Sequence, residues 1–150
     1  MNDASNVLEA QALKLLATRD YGVHELAQKL GQKVPQATDK EIEACIDMFK
    51  ARGWLDEARF IERAVARALE KGDGPLKIRQ KLQGAIEDST LLETALALPE
   101  ETWVASARSA LEKKFGDASR PKETKALAKR LRFLQGRGFL QSHCWAAMQE

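Results

Sequence analysis

Cysteine is nearly absent, with Cys45 and Cys144 the two in 150 residues. Two thiols cannot build a disulfide framework, and such sparing use fits a reducing compartment. No apolar run approaches the roughly 18 residues a spanning helix needs. The opening MNDASNVLEAQALKLL has no basic segment ahead of an apolar one, so a secretory signal is not expected. These absences predict a soluble, cytoplasmic protein without membrane contact.

The chemistry inventory is equally thin. There are two histidines: His24, read as a solvated ring at a helix start, and His143, whose neighbour Cys144 points about 100° away on a helix. No CxxC, HExxH or Cys/His cluster at metal spacing occurs. Cys45 sits at helical spacing between Ile42 and Phe49 and reads as core. Gly72-Asp73-Gly74 has neither a preceding strand nor a following GKS or GKT, so it is not a phosphate loop. The expectation is a protein that is not an enzyme, with no catalytic residues, no cofactor and no metal.

What is present is charge and helical period. Charged residues make up 31% and hydrophobic residues 44%, which fits a folded domain. The formal net charge of +2 is too small for a whole-chain electrostatic argument. It is unevenly spread: residues 1–50 sum to −2, 51–100 to −1, and 101–150, with 10 basic and 5 acidic side chains, to +5. The last third is the part suited to an anion.

Apolar residues recur at helical spacing almost throughout, and strand alternation is nearly absent. Val7 to Arg19 reads as one helix; a second follows Gly22 and closes at Gly31. Thr38 and Glu41 stand at capping-box spacing before Ile42, Cys45, Ile46 and Phe49. After Gly53, Trp54 and Leu55 are expected to pin the chain back on that helix. Asp56 then caps a helix carrying Phe60, Ile61, Ala64, Val65 and Leu69, ended by Gly72. Gly74-Pro75 starts another with Ile78 and Leu82 inward. Asp88 or Ser89 opens the next, before Pro99. A third round holds Trp103 to Phe115, then Leu127, Leu131 and Leu134, then a short helix capped by Ser142.

HELAQKL, KIRQKL and KALAKRL superimpose, placing Leu26, Ile78 and Leu127 in register at spacings of 52 and 49 residues. Leu30, Leu82 and Leu131 repeat those spacings. A period near 50 predicts tandem three-helix units that bury their faces on one another. The predicted fold is all-α, with about nine helices in three repeats at about 1–55, 56–99 and 100–150.

Two basic rows are candidate partner or DNA contacts. Arg59, Arg63 and Arg67 fall at steps of four, and Lys77 and Lys81 repeat that step. Lys122, Lys125, Lys129 and Arg132 fall within about 80° of arc on a helix, opposite the leucines. Phe133, close by, reads as a packed ring or a base-stacking platform. Arg79 flanks the apolar stripe, and an ion pair with Asp56 or Glu57 competes there with a partner contact. No exposed heptad seam is present, so a monomer is expected.

Five segments resemble the RecX regulators of the bacterial recombinase RecA. They are LLATRDYGVHELAQKL, GWLDEARF (Gly53 to Phe60), GPLKIRQKL (Gly74 to Leu82), LEKKFG (Leu111 to Gly116) and RFLQGRGF (Arg132 to Phe139). Trp54, Phe60, Gly74, Pro75, Ile78, Arg79 and Leu82 carry the central part. Two departures stand out: Gly22-Val23-His24 lacks a serine common there, and Gly84-Ala85-Ile86 replaces the usual order. The resemblance implies three tandem three-helix repeats forming an elongated, curved array. It also implies a partner, RecA as a nucleoprotein filament, whose growth, ATPase and strand exchange the protein restrains, regulating DNA repair and recombination. A helical DNA-binding module independent of RecA, or an adaptor for another protein, is the alternative.

Overall fold

The structure, a computed structural model, describes residues 3–148. Among these it has nine α-helices and no strand: α1 (Asp3–Leu16), α2 (Val23–Lys33), α3 (Asp39–Ala51), α4 (Glu57–Lys71), α5 (Pro75–Leu82), α6 (Ser89–Leu96), α7 (Glu100–Phe115), α8 (Thr124–Gly136) and α9 (Gln141–Ala147).

Local chemistry explains most boundaries. The Thr38 hydroxyl accepts from the Glu41 N–H at 3.2 Å, and Glu41 Oε1 accepts from the Thr38 N–H at 2.8 Å. This reciprocal pair satisfies two of the donors a helix start leaves bare. Asp56 accepts from the Arg59 N–H at 3.1 Å to start α4. Asp88 accepts from the Thr90 and Leu91 N–H groups and starts α6. Pro75 occupies the first position of α5, where its missing N–H is harmless.

Four helices differ in their bounds from the sequence reading. α1 spans Asp3–Leu16, beginning and ending earlier than the expected Val7 to Arg19. α2 runs through Gly31 to Lys33; a single glycine costs about 1 kcal/mol in a helix, less than the buried Leu26 and Leu30 return by packing. α9 begins one residue before Ser142, with Leu140 at the N-cap. α8 begins at Thr124, so Lys122 precedes the helix and is not part of its face.

The chain divides into two compact units. The first contains the residues up to Arg63 together with Leu82–Leu91. Its helices α1, α2 and α3 pack pairwise, around Leu8, Ala12, Leu26, Leu30, Ile46 and Phe49. Phe49 is fully buried, a burial worth about 1.5–3 kcal/mol. The second contains Ala64–Lys81 and the chain from Leu92 onward. There α7, α8 and α9 pack pairwise, with Trp103, Ala107, Leu111, Leu134, Phe139 and Cys144 buried. Residues 56–99, expected as the middle repeat, are shared between these units.

A recurring joint appears inside each unit. In the first, the Glu25 N–H at the start of α2 donates to the Ala85 carbonyl at 2.9 Å. A Cβ on Gly22 would lie 2.3 Å from that carbonyl oxygen. In the second, the Gly74 N–H donates to the Arg137 carbonyl at 2.7 Å and the Leu76 N–H to the Gly138 carbonyl at 2.9 Å. Gly22 and Gly74 are 52 residues apart, the spacing already seen between Leu26 and Ile78. In both places a helix start docks on a later loop, and glycine is the residue that lets backbones come this close.

The turn after α3 folds back on the helix as expected, with Trp54 and Leu55 placed differently. Trp54 is 43% exposed, while Leu55 is buried. Both their N–H groups donate to the Phe49 carbonyl, so the turn does fold back. Leucine is the residue turned inward, and Trp54 lies edge-on to Phe49 at 5.3 Å beneath the Arg52 guanidinium. Phe60 and Leu82 are half-buried, and Gly74, Pro75 and Ile78 are buried.

Candidate functional site

The basic residues singled out in the sequence fall into two populations. Four are tied to buried or half-buried carboxylates. Within the first unit, Asp20 holds Arg59 at 2.9 Å and Arg63 at 3.0 Å. Within the second, Asp73, 1% exposed, receives Lys81 at 3.2 Å, Lys77 at 3.4 Å and Arg137 at 3.6 Å. Burial pushes the Asp73 carboxyl up, but the hydrogen bond from Lys81 and the charge of Lys77 outweigh it, holding it below its ordinary value. The other five, Arg67, Lys122, Lys125, Lys129 and Arg132, are exposed and make no ion pair among the described residues.

The row Arg59, Arg63 and Arg67 is therefore not a uniform free face. Its shorter carboxylate contacts come from Asp20 in the α1–α2 loop, 39 residues before Arg59, with Asp56 reaching Arg59 at 3.9 Å, and not from Glu62 or Glu70. Arg79 likewise pairs with neither Asp56 nor Glu57: its guanidinium makes a two-pronged contact with Glu93 at 2.8 and 2.9 Å. Glu57 is occupied elsewhere. Its buried carboxylate accepts from the Val23, Glu87 and Asp88 N–H groups at 2.8–2.9 Å, stitching three segments of the first unit together.

In the last third, most arginines make fixed contacts, while the lysines and Arg132 are left without carboxylate partners among the described residues. Arg108 donates to the Ala146 and Ala147 carbonyls, and Arg120 donates to the Trp145 carbonyl and covers its ring. Arg130 grips Asp117 at 3.0 Å; it and Ser119 hold the Asp117 carboxyl well below the usual range. The planar fork suits such fixed contacts. Lys113, Lys114, Lys122, Lys125, Lys129 and Arg132 stay exposed, without a carboxylate partner among the described residues. Lys125, Lys129 and Arg132 share one side of α8, while Leu134 on the same helix is fully buried. Phe133 is half-buried, edge-on to Phe115 at 5.5 Å, as a packed ring.

The first unit carries the opposite sign. A cleft of about 330 Å³ has Val23, Ala27, Ile42 and Ile46 in its floor and Asp39, Glu43 and Asp47 along its rim. Those carboxylates follow one another at steps of four on α3, where like charges oppose each other.

The remaining reactive groups are built into the structure. Burial raises the Cys45 thiol to about 11, with Glu9 adding to the effect, and it raises Cys144 as well. His143 is buried; its Nδ1 accepts from the Leu140 N–H at 3.4 Å, so Nε2 carries the proton that points to Glu100 at 3.1 Å. His24 is exposed. Among the described residues no group of three His, Cys, Asp or Glu has metal-site geometry, and no helix is long and apolar enough to cross a membrane.

Comparison with known proteins gives a consistent picture. Residues 100–148 match the family model described as RecX, third three-helix domain. A regulatory protein RecX of Vibrio parahaemolyticus is 38% identical over 128 residues, covering 85% of this chain and 81% of that protein. One from Acidithiobacillus ferrooxidans is 39% identical over 131 residues, with 87% and 81% covered. One from Halorhodospira halophila is 35% identical over 146 residues, with 96% and 88% covered. In fold, the chain is similar to the crystal structure of RecX from Lactobacillus salivarius. The TM-score is 0.83 at 19% identity, over 98% of this chain and 96% of that one.

Proposed function

The chain belongs to the RecX family of regulatory proteins, and from that membership we propose that it is a non-enzymatic modulator of RecA. It binds the RecA–DNA filament along its groove and restrains filament growth, ATPase and strand exchange. Three tandem three-helix repeats, at about 1–55, 56–99 and 100–150, supply several weak contacts whose joint avidity exceeds any one of them. The observation that carries the reading is identity of 35–39% along most of the chain with proteins named regulatory protein RecX. The sorting of charge agrees with it: an acidic-rimmed cleft on the first unit suits a protein surface, and unpaired lysines on the second suit phosphates.

The test is the DNA-dependent ATPase of RecA, preassembled on single-stranded DNA in excess, against rising amounts of the chain. A fall at substoichiometric protein supports filament regulation. An unchanged rate at several equivalents per RecA monomer overturns it.

One observation favours a second reading. The free cations of α8 would serve a DNA-binding module acting without RecA. That reading requires equal affinity for DNA with and without RecA, and a steep loss of affinity with salt.

A further inference from the structure

We propose that a cleft in the second unit, apart from the α8 lysine row, is a subsite for the phosphates of a nucleic-acid strand. The inference rests on the nucleic-acid part of the function proposed above. The cleft measures about 250 Å³ and lies between the end of α4, one face of α7 and the end of α8. Lys71, Lys113 and Lys114 line it, with Ser106 and Ser109 from α7 and Phe133 as an apolar wall.

Its lysines have no carboxylate partner among the described residues. On an ordinary solvated helix, lysines alternate with carboxylates one turn away. Here the residues four before Lys113 and Lys114 are Ser109 and Ala110. Four after them stand Asp117, already gripped by Arg130, and Ala118. Lys71 has Arg67 and Pro75 at those positions. None of the three lysines makes an ion pair among the described residues. Glu70 is the one carboxylate in the lining.

The helix ends facing the cleft place partial negative charge there, so some cation is expected for that reason alone. Those ends are already capped, by the N–H groups of Gly72, Gly116 and Gly138. Arg137 adds a further surplus. It shares the single charge of Asp73 with Lys77 and Lys81, so three cations face one carboxylate. The Ser106 and Ser109 hydroxyls, spaced on the same face of α7 as Lys113, make no hydrogen bond among the described residues. Hydroxyls beside unpaired ammonium groups suit phosphate oxygens.

A strand fits better than a small anion. Lys125, Lys129 and Phe133 on α8 and Arg137 at its C-cap follow at steps of four, each about 6 Å further on. The cations are thus spread along a path that leads into the cleft, and do not converge on one point.

Anisotropy of a labelled oligothymidylate, titrated with the full chain in the absence of RecA, tests this. Lys113→Gln with Lys114→Gln is expected to weaken binding about tenfold and to flatten the salt slope by roughly 0.7 for each phosphate no longer neutralised. Glu70→Gln is expected to tighten binding by about threefold, a gain that misfolding cannot imitate. Unchanged affinity in either variant, or no binding by the parent chain, overturns the proposal. So does displacement of the oligonucleotide by millimolar inorganic phosphate beyond that caused by chloride of equal ionic strength, which would assign the cleft to a small anion. RecA ATPase run with the same proteins separates the two readings: a parent that binds the oligonucleotide through the cleft yet leaves RecA unaffected sinks the filament reading alone.

Discussion

Gly74 and Gly138 meet backbone to backbone: a Cβ on Gly74 would stand 2.5 Å from the Gly138 carbonyl carbon, and one on Gly138 would stand 2.4 Å from the Lys77 nitrogen. Backbone cannot swing aside as the end of a side chain can. The contact is fixed by the hydrogen bonds from Gly74 and Leu76 to the Arg137 and Gly138 carbonyls, so relief of a clash would break them.

Gly74→Ala is therefore expected to lower stability by about 1–3 kcal/mol. Gly138→Ala should cost more, since its φ of +92° adds about 1–2 kcal/mol for an L residue. Gly84→Ala, with nothing within 4 Å of the added carbon, is the control and should change little. Urea unfolding midpoints decide this, and equal midpoints for Gly74→Ala and Gly84→Ala would contradict the contact.

Glu57→Ala strips the acceptor from three backbone N–H groups in the first unit. Hydrogen bonds to a charged group contribute about 1.5–3 kcal/mol each, and a buried donor left bare adds its own cost. A loss of at least about 3 kcal/mol is expected from chemical denaturation. Surface Glu62→Ala is the comparison; a similar loss there would mean the effect is general to α4.

Acid should expose the role of Asp73. Its carboxyl lies below its ordinary value, so its ion pairs stabilise the fold fully above the unfolded value near 3.9 and fade as pH falls through the folded value. Asp73→Asn should be less stable than the parent at neutral pH, and the gap should close below about pH 4. Thermal melts across that range test it, and a gap that persists in acid would locate the loss in packing.

Helix number, most caps and the 52-residue repeat were legible because they depend on local spacing, as Thr38–Glu41 and Leu26–Ile78 show. Which of Trp54 and Leu55 enters the core was not legible, because both stand in the same turn and packing outside it decides. The same Arg-Gly-aromatic-Leu run recurs at Arg137-Gly138-Phe139-Leu140, and there the aromatic is buried and the leucine exposed. No local pattern distinguishes the two. Asp20 was missed as the partner of Arg59 and Arg63 because it lies in a distant loop. Asp73 was readable in principle: Asp73, just ahead of α5, and Lys77 and Lys81 on it follow at steps of four.

The exposure of Trp54 has its own consequence for stability. Phe49, fully buried, should lose about 3–5 kcal/mol on replacement by alanine. Trp54, 43% exposed, stands edge-on to Phe49 and beneath Arg52, and Trp54→Ala should cost about 1 kcal/mol. Comparable losses at both positions would place the indole in the core.

Lys125, Lys129 and Arg132 stand on one side of α8, exposed and unpaired among the described residues. Reversing them to glutamate disturbs no ion pair within the fold, so helicity and melting temperature should stay near the parent's. Nucleic-acid affinity should fall, because every phosphate left unneutralised keeps its counterions and forgoes the gain from releasing them. Inhibition of the RecA ATPase should weaken with it if these side chains face the filament's DNA. The pattern across measurements carries the information. Weakened inhibition with intact oligonucleotide binding would turn the row toward the RecA protein surface. Unchanged inhibition and unchanged binding together would remove it from the mechanism, leaving a solvated helix face.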